Sequence, residues 1–298
     1  MSARGSGLRR ALGDYVFAAP YFALFTVFTA LPLGFGLAMG FFRWELASSL
    51  PPVFIGIENF RELFRDRFFL AALRATMVFT ALVLPASLFV SLAIALGLAA
   101  LPRRAAFYRA AIYLPTMINV AVAGILWRWF FSTEFGFINS LLVRFGLDRI
   151  GWLTDPQVAM PSVVLMTLWW TVGGPTIILL AGIQGIPVTY YEAALIDGAN
   201  AWNRFRHITL PLLKPVLTFV MVMNVISSFQ VFGQTFILTP TGGPELRTLT
   251  LVQYIYQTSF ENYRLGYGAA MSGLLLAIIG GATYLQLKLL DRNAGHSA

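Results

Sequence analysis

The feature that most constrains this chain is a series of long apolar runs with at most one charged residue each. The first extends from residue 15 to residue 42 and contains no Asp, Glu, Lys or Arg. It is too long for the apolar core of a signal peptide. A helix needs roughly 20 apolar residues to cross a bilayer, where every backbone polar group must be bonded within the protein. The run therefore predicts a retained membrane-spanning helix, which we expect to bend at Pro20 and Pro32.

Five further runs of similar character follow the first. With 58% hydrophobic and only 11% charged residues, the chain is too apolar for a soluble domain. We predict an all-α polytopic membrane protein with six transmembrane helices, a six-span domain over residues 15–287 and two short tails, 1–14 and 288–298. The predicted spans cover about 15–42, 75–101, 110–131, 157–186, 212–239 and 265–287. Residues 43–74 are predicted to form a loop and a short amphipathic helix at the surface, and residues 132–156 a partly polar connection.

Several classes of function are disfavoured by what the sequence lacks. The chain contains no cysteine, so thiol chemistry and cysteine metal sites are excluded, and His207 and His296 are in no metal-ligand spacing. No Gly-rich phosphate-binding loop ending in Lys-Ser or Lys-Thr is present. The net charge of +8 is explained by basic loops that face anionic lipid and the cytoplasm, not nucleic acid. We expect no catalytic residue, metal or cofactor on this chain.

A polar island, residues 187–211, separates the fourth and fifth predicted spans. Thr189 and Glu192 are spaced as a capping box, in which each side chain bonds a free backbone N–H at a helix start. Gly198 supplies the backbone freedom that ends a short helix. A short helix that ends at a glycine is therefore predicted for the first half of the island.

The second half of the island predicts another amphipathic piece. Asn200 is a capping residue, and an apolar repeat of three residues follows at Trp202, Phe205 and Ile208. Pro211 is predicted to close this piece where the next apolar run begins. Two short helices held between spans suit docking onto another protein, although an ordinary interfacial loop helix would show the same pattern.

The island resembles the coupling-loop signature of permease subunits in bacterial ABC importers. The match is carried by Glu192, Ala193, Ala194, Asp197, Gly198, Ala199, Ile208, Leu210 and Pro211. The resemblance implies that the short helix docks into a groove on a cytoplasmic ATPase and transmits the closure of the ATPase to the membrane spans.

Other segments resemble the carbohydrate-uptake branch of this family, in particular the permease type of maltose and glycerol-phosphate importers. They are Trp152–Pro156, Leu180–Gln184, Phe229–Phe232, Leu238–Thr239 and Gly242–Pro244. The resemblance implies alternating access by two different permeases, two ATPases that hold ATP and Mg²⁺, and an external solute-binding protein that delivers a sugar or a related polyol or sugar derivative. Two residues depart from the pattern: an extra proline, Pro240, and Trp170, where many relatives carry lysine.

Six spans place both termini on the same side of the membrane as the island. Basic residues are divided almost evenly between the two sides, so their total does not fix the orientation. The short link that carries Arg103, Arg104 and Arg109 has no acidic residue near it, and short basic loops stay in the cytoplasm. Together with the coupling-loop resemblance, this link predicts a multi-pass protein of the bacterial cytoplasmic membrane with both termini inside.

The fifth predicted span carries six polar residues within an arc of roughly 160° on a continuous helix at about 100° per residue. They are Asn224, Ser227, Ser228, Gln230, Gln234 and Thr235. We expect this stripe to line the substrate path, with Gln230 and Gln234 binding hydroxyl groups and Ser227 in support. The alternative is hydrogen bonding between helices, which contributes only about 0.6 kcal/mol for each bond in a membrane.

Two rival functions stay open on the sequence. A secondary transporter driven by an ion gradient also uses broken spans near the middle of the membrane. The predicted spans contain no acidic residue for a proton relay, which disfavours that class. An intramembrane enzyme is a third alternative.

Overall fold

The structure, a computed structural model, describes residues 17–101 and 105–292, and their regular structure is almost entirely helical. Four helices are long and apolar enough to cross a membrane: Phe17–Met39, Arg67–Ala99, Ala201–Phe229 and Leu265–Leu289. Two bent pairs meet the same criteria together: Ala106–Met117 with Val120–Phe130, and Ala159–Thr171 with Gly173–Gln184. By length and composition the described chain therefore has four spans, or up to six if each bent pair is one span. The predicted all-α membrane fold is confirmed.

The described residues form two compact units, one with residues 17–65 and 255–274, the other with residues 66–101, 105–254 and 275–292. Some of the basic residues used to predict the orientation, and one histidine, lie outside the described residues: Arg4, Arg9, Arg10, Arg103, Arg104 and His296.

The first unit begins with helix α1, Phe17–Met39, which contains a π-helical turn at Thr26–Ala30. The turn precedes Pro32, which has no N–H and whose ring would clash with a regular helix carbonyl. The Leu31 N–H reaches back five residues to the Thr26 carbonyl, so the wider turn accommodates the proline. The irregularity predicted at Pro32 therefore takes the form of a π turn.

A short hairpin follows α1, with strands β1, Phe42–Arg43, and β2, Val53–Phe54, paired antiparallel. Helix α2, Glu58–Leu63, comes next. The buried amide of Asn59 donates to the carbonyls of Gly40 and Phe42, at 2.8 and 3.0 Å, and so holds α2 against the end of α1 and the hairpin. The predicted surface helix after the first span is present.

The same unit includes a π-helical turn, Gln257–Glu261, and the start of the last helix, α13, Leu265–Arg292. Arg264 binds both carboxylate oxygens of Glu62 at 2.8 Å and lies over the Tyr267 ring. The Gly266 N–H donates to the Trp44 carbonyl at 3.1 Å, and a Cβ at this glycine would overlap the Phe42 carbonyl. The hairpin and the start of α13 are therefore joined by backbone contact that only glycine permits.

Helix α3, Arg67–Ala99, begins the second unit. The Asp66 carboxylate caps it by accepting from the Phe68 N–H at 2.8 Å. The helix begins eight residues before the start predicted for the second span, near residue 75, because the charged residues Arg67 and Arg74 belong to the helix and not to a loop.

The third predicted span is not one helix. Helix α4, Ala105–Tyr113, runs into a 3₁₀ turn, Leu114–Met117, and helix α5, Val120–Phe130, starts at a 95° bend. Pro115 lacks the N–H that a continuing α-helix needs. Asn119 caps the new helix by accepting from the Ala121 N–H at 2.8 Å. The span predicted over 110–131 is therefore a bent pair of helices, and the proline and the cap explain the break.

The connection after α5 contains a helix that the sequence analysis did not predict, α6, Phe137–Arg144. The buried Asn139 amide holds it in place. Its nitrogen donates to the carbonyls of Thr133 and Ile150, at 3.1 and 2.9 Å, and its oxygen accepts from the Ile150 N–H and the Trp152 indole, at 3.1 and 3.0 Å. The Asn139 side chain thus links the residues before α6 to the residues after it.

The fourth span is a pair of helices, α7, Ala159–Thr171, and α8, Gly173–Gln184, bent by 52°. A Cβ at Gly173 would lie 2.7 Å from the Ile112 carbonyl oxygen, so the glycine permits α4 to approach the bend closely. The break predicted at Gly173-Gly174-Pro175 is confirmed. Nearby, the Trp170 indole donates to the Ile118 carbonyl at 2.9 Å and ties α7 to the bend between α4 and α5.

The remaining helices are α9, Val188–Ile196, α10, Ala201–Phe229, α11, Gly233–Leu238, and α12, Leu251–Tyr256. A 3₁₀ turn, Pro244–Leu246, lies between the last two. The fifth span was predicted as one run over 212–239. Instead, α10 starts eleven residues earlier and ends at Phe229, and α11 is a separate helix.

Two apolar clusters form the core of the second unit, and α3 contributes to both. One surrounds Phe79 and includes Trp127, Met166 and Val231. The other surrounds Ala95 and includes Leu180, Leu213 and Val220. The stretch of α3 between them, around Ser87, is where the helices leave a cavity.

Candidate functional site

The first half of the 187–211 island forms helix α9, Val188–Ile196. The predicted capping box is wrong: Pro187 occupies the N-cap position and no side chain bonds there. The predicted glycine stop is confirmed. Gly198 has φ of +75°, its N–H donates to the Leu195 carbonyl at 3.1 Å, and the Ala199 N–H donates to the Ala194 carbonyl at 2.8 Å. These two bonds are those of a Schellman motif, which satisfies the last carbonyls of the helix.

The second half of the island is the beginning of α10. The predicted cap is confirmed, since the Asn200 side chain accepts from the Asn203 N–H at 2.8 Å. The predicted end at Pro211 is wrong. A π-helical turn, Phe205–Thr209, precedes the proline, so the helix widens and continues. The Tyr191 hydroxyl lies 3.0 Å from the Thr209 hydroxyl and links α9 to α10.

The island, although polar in sequence, carries several exposed large apolar side chains. The exposed fraction is 88% for Ile196, 62% for Trp202 and 55% for Leu195. Of the residues predicted to couple to an ATPase, Ala194, Ala199 and Ile208 are partly buried and the rest are exposed: Glu192, Ala193, Asp197, Gly198, Leu210 and Pro211. An exposed apolar surface on a rigid, capped helix has the character of a protein docking site.

A cavity of about 370 Å³ lies among α3, α7, α8 and α10. Its walls are mostly apolar, with Phe79, Val83 and Phe219 among the larger side chains. The polar groups on the walls come from three helices and the start of α11: Ser87, Thr167, Thr171, Asn224, Ser227, Ser228 and Gln234. A mostly apolar cavity with a few convergent polar groups is typical of a small-molecule binding site.

The structure places four of the six stripe residues on this cavity: Asn224, Ser227, Ser228 and Gln234. The other two do not line it. Gln230 is exposed at the C-cap of α10, and Thr235 is fully buried, 3.0 Å from the Thr250 hydroxyl. The stripe was derived for a continuous helix. That premise fails after Phe229, where residues 230–232 interrupt the helix and change the direction of the following side chains.

The sequence analysis missed the polar groups that other helices contribute to the cavity. Ser87 of α3 and Thr167 and Thr171 of α7 were not singled out. The Asn224 amide donates to the Ser87 hydroxyl at 3.3 Å, which joins the two walls. Isolated hydroxyls in apolar spans were the available signal, but they do not reveal which helices pack together.

A buried network of hydroxyls holds the segment after the helix break. Thr248 donates to Thr239 at 2.8 Å, and Thr250 donates to the Val231 carbonyl at 3.0 Å. The Thr76 hydroxyl of α3 accepts from the Leu251 N–H at 2.8 Å, so one span caps the first residue of α12. The broken end of the fifth span is therefore fixed to the return loop and to α3.

The same network includes the backbone of the extra proline, Pro240, although any residue at this position would supply the same carbonyl. The buried Gln253 amide donates to the carbonyls of Thr239 and Pro240, at 3.2 and 2.9 Å.

Within the described residues, no group of three or more His, Cys, Asp or Glu side chains is arranged to hold a metal ion. The arrangement is that of a binding cavity between membrane helices, with a separate exposed surface on the helix that borders it.

A helical membrane fold with a binding cavity between its spans is compatible with a membrane permease, and the family match shows that class. The chain belongs to the family described as the binding-protein-dependent transport system inner membrane component, which matches residues 87–296. It is thus a multi-pass protein of the inner membrane, and the resemblance found in the sequence is confirmed at the level of the family.

Individual relatives match nearly the whole chain. The sulfoquinovosyl glycerol transport system permease protein SmoG of Agrobacterium fabrum is 34% identical, covering 94% of this chain and 92% of its own. The arabinooligosaccharides transport system permease protein AraP of Bacillus subtilis is 33% identical, covering 97% of this chain and 93% of its own.

A solved structure has the same fold. It is the crystal structure of a bacterial ABC transporter involved in the import of the acidic polysaccharide alginate. The matched chain has a TM-score of 0.82 at 24% sequence identity, and the match covers 96% of this chain and 98% of that one.

Proposed function

We propose that this chain is one of two permease subunits of an ATP-driven importer that takes a sugar, or a related polyol or sugar derivative, from a solute-binding protein into the cytoplasm. The observation that carries the proposal is that α10 lines a mostly apolar cavity with a few convergent polar groups and also carries part of the exposed apolar surface at 187–211. The family and the sugar-related substrates in the names of its relatives support the assignment.

In this proposal the exposed apolar surface at 187–211 docks onto a cytoplasmic ATPase. The ATPase holds ATP and Mg²⁺, so this chain binds neither. Ile196 and Trp202 are the side chains that a protein groove would bury, since they are 88% and 62% exposed. This docking requires the island, and with it both termini, to face the cytoplasm.

The 370 Å³ cavity is proposed as part of the substrate path, shared with the second permease. Sugar hydroxyls both donate and accept hydrogen bonds, and the walls offer hydroxyls and the amides of Asn224 and Gln234. A buried amide left without a partner costs several kcal/mol in an apolar medium. The cavity therefore suits water or a polyhydroxylated solute better than an acyl chain.

The test uses the assembled transporter in proteoliposomes, with ATP on the ATPase side and the loaded binding protein on the other. Gln234→Leu should lower uptake about two- to tenfold, the value of one hydrogen bond of about 0.5–1.5 kcal/mol, while ATPase activity stimulated by the binding protein persists. Gln230→Leu is the matched contrast, because Gln230 lies off the cavity wall and still carries the role predicted from the sequence.

Loss of uptake in Gln234→Leu alone would support the cavity as the path. Loss in both variants would extend the path to the exposed end of α10. Wild-type uptake in both would reject the path through this cavity. Uptake that continues without ATP or without the ATPase would reject the importer itself in favour of an ion-coupled carrier.

A further inference from the structure

A second cavity, of about 420 Å³, lies elsewhere in the same unit. Its walls come from the first half of α3, the start of α7 and the turn after α11. The lining residues that matter here are Arg74, Val78, Leu82, Met160, Leu246 and Arg247. None of them was assigned a role by the transport cavity or by the docking surface.

The two cavities open on different faces of α3. Ala71, Arg74, Ala75, Val78 and Leu82 line the second cavity, and Phe79, Val83, Leu84 and Ser87 line the first. At about 100° per residue, the mean directions of these two sets are roughly 145° apart. The second cavity is therefore not a continuation of the substrate path. It lies on the side of α3 turned away from that path.

This side of α3 is apolar and exposed within a membrane-spanning helix. The exposed fraction is 41% for both Val78 and Leu82. The 33 residues of α3 are about 50 Å long, against a hydrocarbon core of about 30 Å. When the excess is shared between the two ends, Arg74, about 10 Å from the start of the helix, lies at the level of the lipid headgroups. Val78 and Leu82 then lie at the level of the acyl chains.

The headgroup end of the cavity is cationic. Arg74 is exposed and takes part in no ion pair within residues 17–101 and 105–292. Arg247 is 3.3 Å from Glu245, but both side chains are about half exposed, so solvent screens this pair and it holds Arg247 weakly. The three side chains carry one net positive charge, and each guanidinium group presents a planar fork of donors that suits a phosphate.

The turn that presents Arg247 is held in a costly conformation. Glu245 and Leu246 have φ of +52° and +60°, in the left-handed region that L-residues other than Asn and Asp rarely adopt. Two hydrogen bonds of Thr248 hold the turn. Its N–H donates to the Gly242 carbonyl at 3.0 Å, and its hydroxyl donates to the Thr239 hydroxyl. Strain of this kind is typical of sites where a side chain must be aimed at a ligand.

We propose that this cavity binds one anionic phospholipid, with its phosphate between Arg74 and Arg247 and an acyl chain along Val78, Leu82 and Met160. Arg74 and Leu82 are about 12 Å apart along α3, with Val78 between them. A phospholipid presents its charged headgroup and its apolar chain in the same order. A basic pocket between spans recognises an anionic headgroup by the same electrostatic attraction that draws basic residues to anionic membranes.

The experiment is native mass spectrometry of the full chain, alone and in the assembled transporter, released from nanodiscs that contain equal amounts of phosphatidylglycerol and phosphatidylcholine. One retained phosphatidylglycerol per chain is expected. Each arginine near a membrane surface contributes a factor of about five, so Arg74→Gln with Arg247→Gln should lower retention more than tenfold. Arg144→Gln, an exposed arginine at the end of α6 away from the cavity, is the matched control and should change nothing.

Two further measurements distinguish a bound phospholipid from a free phosphate ester, and a blocked cavity from the removal of charge. Ala71→Phe places bulk on the cavity wall without removing charge and should also abolish retention. A large excess of glycerol phosphate should not displace the lipid, since it lacks the acyl chain. Equal retention of both lipids, insensitivity to the double variant, displacement by glycerol phosphate, or loss of the lipid in the assembled transporter would each overturn the proposal.

Discussion

Replacing Gly198 with aspartate separates docking from folding, because the structure limits what the substitution can do inside this chain. A Cβ at Gly198 would meet no atom within 4 Å, so no packing is lost. The backbone has φ of +75°, where an L-residue costs about 1–2 kcal/mol, and Asp tolerates this region better than most residues. A cost of this size is too small to prevent the folding or insertion of a membrane protein with several spans.

The chain contains a matched control for this strain. Gly146 has φ of +76°, open space around its Cβ position and the same pair of hydrogen bonds, Gly146 N–H to Val143 and Leu147 N–H to Leu142, at 3.0 and 2.9 Å. It ends α6 as Gly198 ends α9. Gly146→Asp therefore carries the same backbone cost and the same added charge at a site far along the chain from the docking surface.

The two variants are compared for expression, thermal unfolding, co-purification with the ATPase and uptake. Both should insert and unfold alike. Burying an unpaired carboxylate in an interface costs about 3–5 kcal/mol, so Gly198→Asp should weaken ATPase association more than about a hundredfold and abolish uptake. Gly146→Asp should transport normally. Normal uptake by Gly198→Asp, or equal loss in both variants, would refute the assignment of the docking surface.

Three further predictions concern topology and packing. Because the chain has no cysteine, Ala201→Cys should react with an impermeant maleimide only from the cytoplasmic side and Ser140→Cys only from outside, and reversed labelling would invert the topology. Asn139→Leu leaves four polar groups unpaired, each worth about 1–3 kcal/mol, so the connection around α6 should become sensitive to trypsin; unchanged resistance would contradict its role. Gly124→Val would bring a Cβ to 2.7 Å from Ile237 Cγ2 and should lower the thermal stability by an amount equivalent to about 1–3 kcal/mol. Adding Ile237→Ala should restore stability. A loss that the second change does not restore would place the clash elsewhere.

Features set by local chemistry were predictable from the sequence. The first span, the break at Gly173, the glycine stop at Gly198 and the cap at Asn200 all follow from residues that act on their own backbone. Two of the wrong predictions concern the ends of helices. The Asp66 cap and the π turn before Pro211 alter helix ends by a single bond or turn, and apolar runs give no sign of them.

The candidate site was only partly predictable, because it is made by several helices. The stripe on α10 indicated which polar residues belong together up to Ser228, and periodicity lost its meaning once the helix stopped at Phe229. Ser87 and Thr167 reach the cavity through the packing of α3 and α7, which no local pattern encodes. The second cavity depends further on the strained turn at Glu245, whose conformation its sequence does not favour.

Helix α10 connects the exposed surface at 187–211 to the wall of the first cavity. It runs unbroken from Trp202 at the exposed surface to Asn224 on the cavity wall, a distance of about 33 Å. If a helix segment of that length tilts by about 10° about one end, its other end is displaced by about 6 Å. Because the helix is interrupted after Phe229, and Leu251 beyond the interruption is hydrogen-bonded to Thr76 of α3, a tilt of α10 would reach the cavity wall at Asn224 without passing through a continuous helix to the return loop.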